Sequence, residues 1–272
     1  MSSKVVVLTG GNKGIGKAIA MLLLKTTKEP LTLYLTARQP SLGTAAVEEI
    51  KSSGVLSRSG SEVLFHQLDI MDQASVDTLV ADLKETRGQI DVLINNAGIA
   101  SKGSGFDSQI VKQTLDCNYF GTQRVTNALL PLIKPEGGRI ACVSSSMGVL
   151  ANLPSRALQA KFGDPHLTHQ QLDQLMNKFV QDVAAGTFKS EGWPENSYMV
   201  SKVGMTALTK IYAREHPGML INACCPGYVK TDMAPRGHLT PDEGAFTPTL
   251  LAIGSIGKTT GLFWTNCYPV EW

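Results

Sequence analysis

The feature that most constrains the fold of this chain is a regular alternation of short apolar runs with longer amphipathic segments. The short runs are apolar on both faces and predict six strands, at Lys4–Thr9, Leu31–Thr36, Val63–Leu68, Asp91–Asn95, Arg139–Ser144 and Met219–Cys224. Segments with helical period lie between them, at Gly16–Lys28, Thr44–Ser53, Gln73–Thr86, Val111–Leu132 and Ser197–Glu215. Apolar strands separated by helices are typical of a parallel sheet covered on both faces. The sequence therefore predicts an α/β fold.

The stretch from Leu150 to Pro194 interrupts this alternation. It is polar, contains Pro154 and Pro165, and has only a weak helical pattern at Leu172–Val183. Linkers and internal repeats are absent from the 272-residue sequence. We therefore expect one domain over residues 1–272, with a helical insertion at roughly residues 150–194.

Charge and cysteine usage restrict the partners and the compartment. The formal net charge is only +2, so neither nucleic acid nor an anionic membrane is an expected partner. The run Val5–Leu8 is too short for the core of a signal peptide, and Ala18–Leu24 is too short to span a bilayer. The five cysteines include no CxxC pair, which favours free thiols and a cytoplasmic protein. The adjacent Cys224 and Cys225 are interpreted as two buried thiols, with a strained disulfide as the alternative.

A glycine-rich turn follows the first predicted strand and opens the first helix. Glycines let the backbone approach a pyrophosphate, and a helix N-terminus offers free amides to it. The residues expected to bind this part of a dinucleotide are Gly10, Asn12, Lys13, Gly14, Ile15 and Gly16. Together with the alternation, this turn predicts a Rossmann-type, doubly wound parallel sheet. The spacing G-x-x-x-G-x-G differs from G-x-G-x-x-G, so a simple tight turn is the alternative.

The end of the second strand indicates which dinucleotide binds. An NAD site places a carboxylate there for the ribose hydroxyls. Here Arg38 stands at that position, no acid occurs between Pro30 and Val47, and Lys13 adds a second cation. Two cations fit a 2′-phosphate, so NADPH is the expected cofactor. The alternative is that Arg38 is a solvated surface residue.

Several further motifs occur in a characteristic order. They are Asn95-Asn96-Ala97-Gly98, Asn118, Ser145, Tyr198-Met199-Val200-Ser201-Lys202 and Pro226-Gly227. With the glycine turn, they resemble the short-chain dehydrogenase/reductase family over essentially the whole chain. The chain is most similar to the family's monomeric, NADPH-dependent carbonyl reductases. This similarity rests on the stretches Gly10–Gly16, Phe65–Ile70, Asn95–Ala100, Leu130–Pro135, Asn177–Val180, Glu191–Pro194 and Asn222–Gly227.

The spacing of Tyr198 and Lys202 has its own chemical logic. Residues four apart lie on one face of a helix, and a nearby ammonium favours the phenolate, lowering the pKa of the phenol. Tyr198 can then protonate a carbonyl oxygen as a general acid. The resemblance implies that both residues also contact the cofactor, with Lys202 holding the nicotinamide ribose.

The resemblance implies two further catalytic residues. Ser145 would orient the carbonyl oxygen and stabilise its developing charge, with Ser144 or Ser146 as alternatives. Asn118 would bend its helix and support the proton relay; the alternative is a helix-interrupting residue with no role in proton transfer.

The resemblance also assigns the remaining cofactor contacts. Asp69 and Ile70 match the adenine contacts, although Asp69 could instead be a helix cap. Asn95 begins the Asn95–Gly98 motif, which in the family shapes the floor under the adenosine ribose. The segment that contacts the nicotinamide carboxamide is matched by Pro226, Gly227, Val229 and Thr231.

The pocket for the carbonyl substrate is expected to lie around Ser145 and Tyr198. Met147, which flanks Ser145, and Tyr228, which flanks the Pro226-Gly227 turn, are substrate-binding candidates, with Trp193 and Met233 possible and a core or loop role as the alternative. Apolar and aromatic walls suit aldehydes, diketones, quinones and bulky ketones.

The distance between the serine and the tyrosine departs from the common family pattern. Tyr198 follows Ser145 by 53 positions, where about a dozen is usual in the family. In similar long-insert members the extra segment covers the helix face that usually makes the subunit contact, so we expect a monomer.

Other functions are less well supported. His166 and His169 lack a third ligand, so no metal site is expected. One alternative is an NADP-linked alcohol, hydroxysteroid or prostaglandin dehydrogenase that runs in the oxidative direction. Another is a dinucleotide-sensing protein without catalysis, which would have no need for the phenol of Tyr198.

Overall fold

The expected alternation of strands and helices is present in the computed structural model, which describes residues 3–101 and 105–272. The strands are β1 (Lys4–Leu8), β2 (Leu31–Ala37), β3 (Glu62–Gln67), β4 (Val92–Asn95), β5 (Arg139–Val143), β6 (Leu220–Cys225), β7 (Phe263–Thr265) and β8 (Tyr268–Val270). They form one sheet in the order β3-β2-β1-β4-β5-β6-β7-β8, parallel except for the β7–β8 pair. The predicted doubly wound parallel sheet is confirmed.

Helices cover both faces of the sheet. They are α1 (Gly14–Thr26), α2 (Pro40–Ser52), α3 (Val55–Ser59), α4 (Gln73–Thr86), α5 (Ser108–Leu115), α6 (Thr122–Leu129), α7 (Arg156–Phe162), α8 (His169–Ala184), α9 (Ser197–Glu215), α10 (Pro241–Gly244) and α11 (Phe246–Ile253). One apolar core lies under α4, α5, α6 and α9, and a second lies under α1, α2 and α11. The chain order reverses between β1 and β4, and the loops after these strands flank the crevice in which doubly wound sheets bind ligands.

The predicted helix Val111–Leu132 is not continuous. A π-helix at Asp116–Gly121 separates α5 from α6, and a short 3₁₀ turn at Leu130–Leu132 ends the segment. A π-helical turn inserts one extra residue per turn, and such turns are frequent at functional sites. Asn118, which the sequence analysis expected to bend this helix, lies inside the π-helix.

The stretch at residues 150–194 is helical, as expected. Its longer helix, α8, begins with a capping box in which Thr168 and Gln171 satisfy each other's backbone amides. Leu172, Met176 and Phe179 are the apolar positions that α8 buries, and the helix packs against α5 and α9. The segment therefore covers a face that α5 and α9 would otherwise present to solvent.

Candidate active site

The glycine turn between β1 and α1 has a backbone that side chains would obstruct. Gly10 and Gly14 have φ angles of 65° and 53°, in the left-handed region that favours glycine. A Cβ on Gly16 would lie 2.2 Å from the carbonyl oxygen of Gly10. Among the described residues, no side chain caps the first turn of α1. This open cradle at a helix N-terminus fits the pyrophosphate of a dinucleotide.

Asn96 holds this turn in place. It is the second residue of the Asn95–Gly98 motif, and no role was predicted for it. Its Nδ2 donates to the carbonyl oxygens of Thr9 and Gly10, at 3.0 Å each, and its backbone amide donates to Thr9 Oγ1 at 3.0 Å. The neighbouring Asn95 side chain lies in the core, where it donates to Thr126 Oγ1 at 2.9 Å. Any cofactor contact of Asn95 would therefore involve its backbone.

Two cations lie where a 2′-phosphate was expected. Arg38 follows β2 and is exposed. Lys13 is also exposed and pairs with Asp232, with 2.7 Å between Nζ and Oδ2. An ion pair between two exposed side chains contributes little free energy, so Lys13 can exchange this partner for a phosphate.

The adenine contacts expected at Asp69 and Ile70 lie in the turn after β3. Asp69 Oδ1 accepts from the amide of Met71 at 3.0 Å, whereas the cap of α4 is Asp72. Ile70 is buried, and its carbonyl oxygen accepts from Arg124 at 2.8 Å. The structure therefore assigns the capping role to Asp72 and leaves Asp69 in the turn.

Lys202 and Asn118 are buried beside the end of β5. Lys202 Nζ donates to the carbonyl oxygen of Val143 at 2.8 Å, and burial lowers the pKa of Lys202 to about 8. Asn118 accepts from the Ile99 amide and donates to the Ile99 carbonyl, both at 2.8 Å, and also donates to Ser201 Oγ at 3.0 Å. These bonds fix the Asn118 carboxamide between β4 and α9.

Tyr198 and Ser145 meet across the same crevice. The nearby Ser145 hydroxyl acts to lower the pKa of the Tyr198 phenol, but burial acts more strongly and raises that pKa to about 12. Lys202 Nζ lies 5.6 Å from the centre of the Tyr198 ring. Burial thus dominates the pKa of this phenol, and the lowering expected from Lys202 stays a prediction.

The three consecutive serines face different surroundings. Ser144 is buried and bonds Thr206 Oγ1 at 2.8 Å, so its hydroxyl belongs to the core. Ser146 is exposed, whereas Ser145 is half-buried and close enough to Tyr198 to act on the pKa of its phenol. This geometry agrees with the choice of Ser145 over its two neighbours.

The segment after β6 supplies the nicotinamide and substrate candidates. Gly227 has a φ of 87°, and its amide donates to Cys225 Sγ at 3.3 Å after Pro226 turns the chain. Val229 is buried and forms a bridge with Leu239. A Cβ on Gly14 would lie 3.4 Å from Thr231, so this segment touches the glycine turn.

The candidate substrate residues divide into two groups. Tyr228 and Met233 are about half exposed, at 51% and 47%, and Met147 is half-buried beside Ser145. Trp193 is only 2% exposed, and its indole donates to Asp182 Oδ2 at 2.7 Å. Trp193 packs on Phe162 and Phe179. It is therefore a core residue, which was the alternative to a place in the substrate pocket.

Comparison with known proteins identifies the family. The sequence pattern described as short chain dehydrogenase matches residues 4–195. The chain belongs to the short-chain dehydrogenases. Human carbonyl reductase (NADPH) 1 is 45% identical over 260 residues, which cover 92% of this chain and 90% of the relative. The solved structure of salutaridine reductase from Papaver somniferum is 30% identical with a TM-score of 0.86, covering 96% of this chain and 99% of that one. Menthone neomenthol reductase from Mentha piperita is 28% identical with a TM-score of 0.82, covering 97% of this chain and 98% of that one.

Among the described residues, the cysteines and histidines of this short-chain dehydrogenase form neither a disulfide nor a metal site. The five cysteines, all within the described ranges, are free thiols, so Cys224 and Cys225 form no disulfide with each other. His169 pairs with Glu215 at 3.0 Å, and His166 is exposed. Across residues 3–101 and 105–272, no group of three or more His, Cys, Asp or Glu side chains could hold a metal ion. Among the same residues, no helix is both long and apolar enough to cross a membrane.

Proposed function

We propose that this short-chain dehydrogenase reduces carbonyl compounds to alcohols with NADPH. Support comes from mammalian relatives named carbonyl reductase (NADPH) 1, which are 41–45% identical over at least 92% of this chain. Arg38 and Lys13 provide the positive charge that a 2′-phosphate requires. The observation that carries the proposal is the meeting of Tyr198, Ser145 and Lys202 at one end of β5.

The cofactor would be held by several parts of the chain. The glycine turn Gly10–Gly16 would hold the pyrophosphate, and the Asp69–Ile70 turn would contact the adenine. The residues after Pro226 would grip the nicotinamide carboxamide, and Lys202 would hold the ribose. Reduced nicotinamide supplies a hydride to the substrate carbon when it is bound.

The proton would come from Tyr198. The protonated phenol would donate to an oxygen that gains negative charge, and the nearby ammonium of Lys202 would lower the phenol pKa toward the working range. Ser145 would donate a hydrogen bond to the same oxygen and hold the carbonyl in line. Lys202 and Asn118 would deliver the replacement proton after each turnover.

The names of the relatives favour reduction over the oxidative alternative, because they are carbonyl reductases that use NADPH. A dinucleotide sensor would not need the phenol of Tyr198. Carbonyl reduction therefore uses the site as it stands.

The expected substrates are uncharged electrophiles. Met147 beside Ser145 and Tyr228 after β6 would offer apolar and aromatic surface, which suits aldehydes, diketones, quinones and bulky ketones. The test is a turnover assay with one member of each class, run with NADPH and NADH in parallel. We expect NADPH oxidation with at least one class and slower oxidation of NADH; no oxidation with any class contradicts the proposal.

We further infer a monomer in the cytoplasm. Helix α8 packs on α5 and α9 and so covers the helix face that could otherwise contact a second chain. Asp173 of α8 accepts a hydrogen bond from Tyr119 Oη at 2.6 Å, which holds α8 in this position. The free thiols favour a reducing compartment. Light scattering at micromolar concentration should give the mass of one 29.2 kDa chain, and the mass of two chains would contradict the inference.

A further inference from the structure

Trp272 reaches from beyond β8 to the turn that carries Ser145. Its indole Nε1 donates to the carbonyl oxygen of Gly148 at 2.5 Å. The ring packs against the core on the α9 side of the sheet, and Lys210 Nζ lies 5.4 Å from its centre. A residue far along the sequence is thus bonded to the segment that holds the proposed substrate site.

The turn from Ser145 to Gly148 depends on a few specific bonds. The Met147 amide donates to Ser145 Oγ at 3.1 Å, and the Gly148 amide donates to the Ser145 carbonyl oxygen at 2.9 Å. Asn152 Nδ2 donates to the carbonyl oxygens of Ser146 and Met147, at 2.8 and 3.3 Å. The carbonyl oxygen of Gly148, the next residue, accepts its hydrogen bond from the indole of Trp272.

Gly148 is also the point at which this turn meets the catalytic helix. A Cβ on Gly148 would lie 2.7 Å from the backbone carbonyl carbon and oxygen of Lys202. The turn therefore rests directly on α9, and the indole of Trp272 fastens it from the other side. Movement of Gly148 would shift Ser145 and Met147 relative to Tyr198.

We propose that Trp272 is a positioning residue that holds the Ser145–Gly148 turn against α9, so that Ser145 and Met147 keep their places beside Tyr198. The proposal rests on the proposed carbonyl reduction for its effect on catalysis. Trp272 is bonded to the serine turn, whereas the glycine turn and Arg38 lie on the other side of the crevice. Loss of the indole N–H should therefore weaken the use of the carbonyl substrate and leave cofactor binding unchanged.

The test compares two Trp→Phe substitutions. Trp272→Phe retains a ring but removes the donor to Gly148. Trp264→Phe is the matched control. It also removes an indole donor, but one in β7 that bonds Asn222 Oδ1 at 3.3 Å and not the Ser145–Gly148 turn. We expect Trp272→Phe to reduce kcat/KM for a bulky ketone about 10-fold, since small misplacements of reacting groups are costly, with an unchanged Kd for NADPH. Trp264→Phe should leave kcat/KM unchanged even where it lowers the melting temperature.

Hydrogen exchange provides a readout that does not depend on activity. The amides of Met147 and Gly148 should exchange faster in Trp272→Phe than in the wild type or in Trp264→Phe. If Trp272→Phe changed neither the exchange of these two amides nor kcat/KM, the proposal would be overturned. It would also be overturned if Trp272→Phe lost NADPH binding, melting temperature and activity together. A wild-type protein that reduces no carbonyl compound would refute the proposed function, while the exchange rates would still decide whether Trp272 holds the turn.

Discussion

Lys202 Nζ donates to the carbonyl oxygen of Val143 at 2.8 Å, while its ammonium lies 5.6 Å from the centre of the Tyr198 ring. Lys202 is therefore anchored to β5, and Ser145 is the neighbour that acts on the pKa of the phenol. In the proposed function, Ser145 and Tyr198 would face the substrate and Lys202 would lie behind them.

The first prediction concerns the preference for NADPH over NADH. Arg38→Ala should raise the Kd of NADPH about 10- to 100-fold, because a hydrogen bond between two charged groups is lost, and should change the Kd of NADH little. Fluorescence titration of both cofactors measures the two constants. Arg156→Ala, which removes an exposed arginine at the start of α7, is the control and should change neither. An equal loss for NADPH and NADH would contradict the assignment of Arg38.

The second prediction concerns stability and pH. Burial lowers the pKa of Lys202 from 10.5 to about 8, so between these values the unfolded chain holds a proton that the folded protein has released. The free energy of unfolding should therefore rise with pH over this window through Lys202, by on the order of 1 kcal/mol per pH unit. The pKa of Cys117 and of Tyr198 are raised, to about 11 and about 12, and act in the opposite direction.

A comparison with Lys202→Met isolates this contribution, since the other groups are common to both proteins. Denaturant unfolding of the cofactor-free proteins should give a difference, wild type minus variant, that grows from pH 8 to about 10. Lys84→Met, which changes an exposed lysine in the last turn of α4, is the control and should behave as the wild type. A difference that stays flat or falls would show that Lys202 is not buried as described.

The third prediction separates neighbouring serines. Ser145→Ala should lower kcat about 10²- to 10³-fold, because a donor to the developing oxyanion is lost. Ser146→Ala, one position along and exposed, should change kcat by less than about 2-fold. Steady-state kinetics with NADPH and one diketone measure both variants. If Ser146→Ala had the larger effect, the assignment of Ser145 would have to be abandoned.

Much of the fold could be predicted because β1 to β6 are short runs rich in apolar residues and α9 has helical period. The last strands were missed for a physical reason. Strands β7 and β8 have three residues each and are joined by Asn266 and Cys267, which have positive φ but lack the glycine of a typical hairpin turn. Helices α10 and α11 contain Pro241 and Pro248, which obscure the helical pattern.

The candidate site could be predicted in its residue types but not in its side-chain directions. Asn95 and Asn96 are adjacent at the end of β4, where successive side chains point to opposite faces. Which of them reaches the glycine turn depends on the phase of the strand, and it is Asn96. The partner of Lys202 and the burial of Trp193 likewise depend on packing between distant segments.

The central claim is that Tyr198 protonates the carbonyl oxygen while the reduced cofactor donates its hydride. Tyr198→Phe tests this claim most directly, with Tyr268→Phe, an exposed tyrosine of β8, as the control. The measurement is the rate of NADPH oxidation by a carbonyl substrate that the wild type reduces, together with the Kd of NADPH. Tyr198→Phe should lose about 10²- to 10⁴-fold in rate with little change in Kd, and Tyr268→Phe should change neither the rate nor the Kd. Turnover of Tyr198→Phe at the wild-type rate would contradict the central claim.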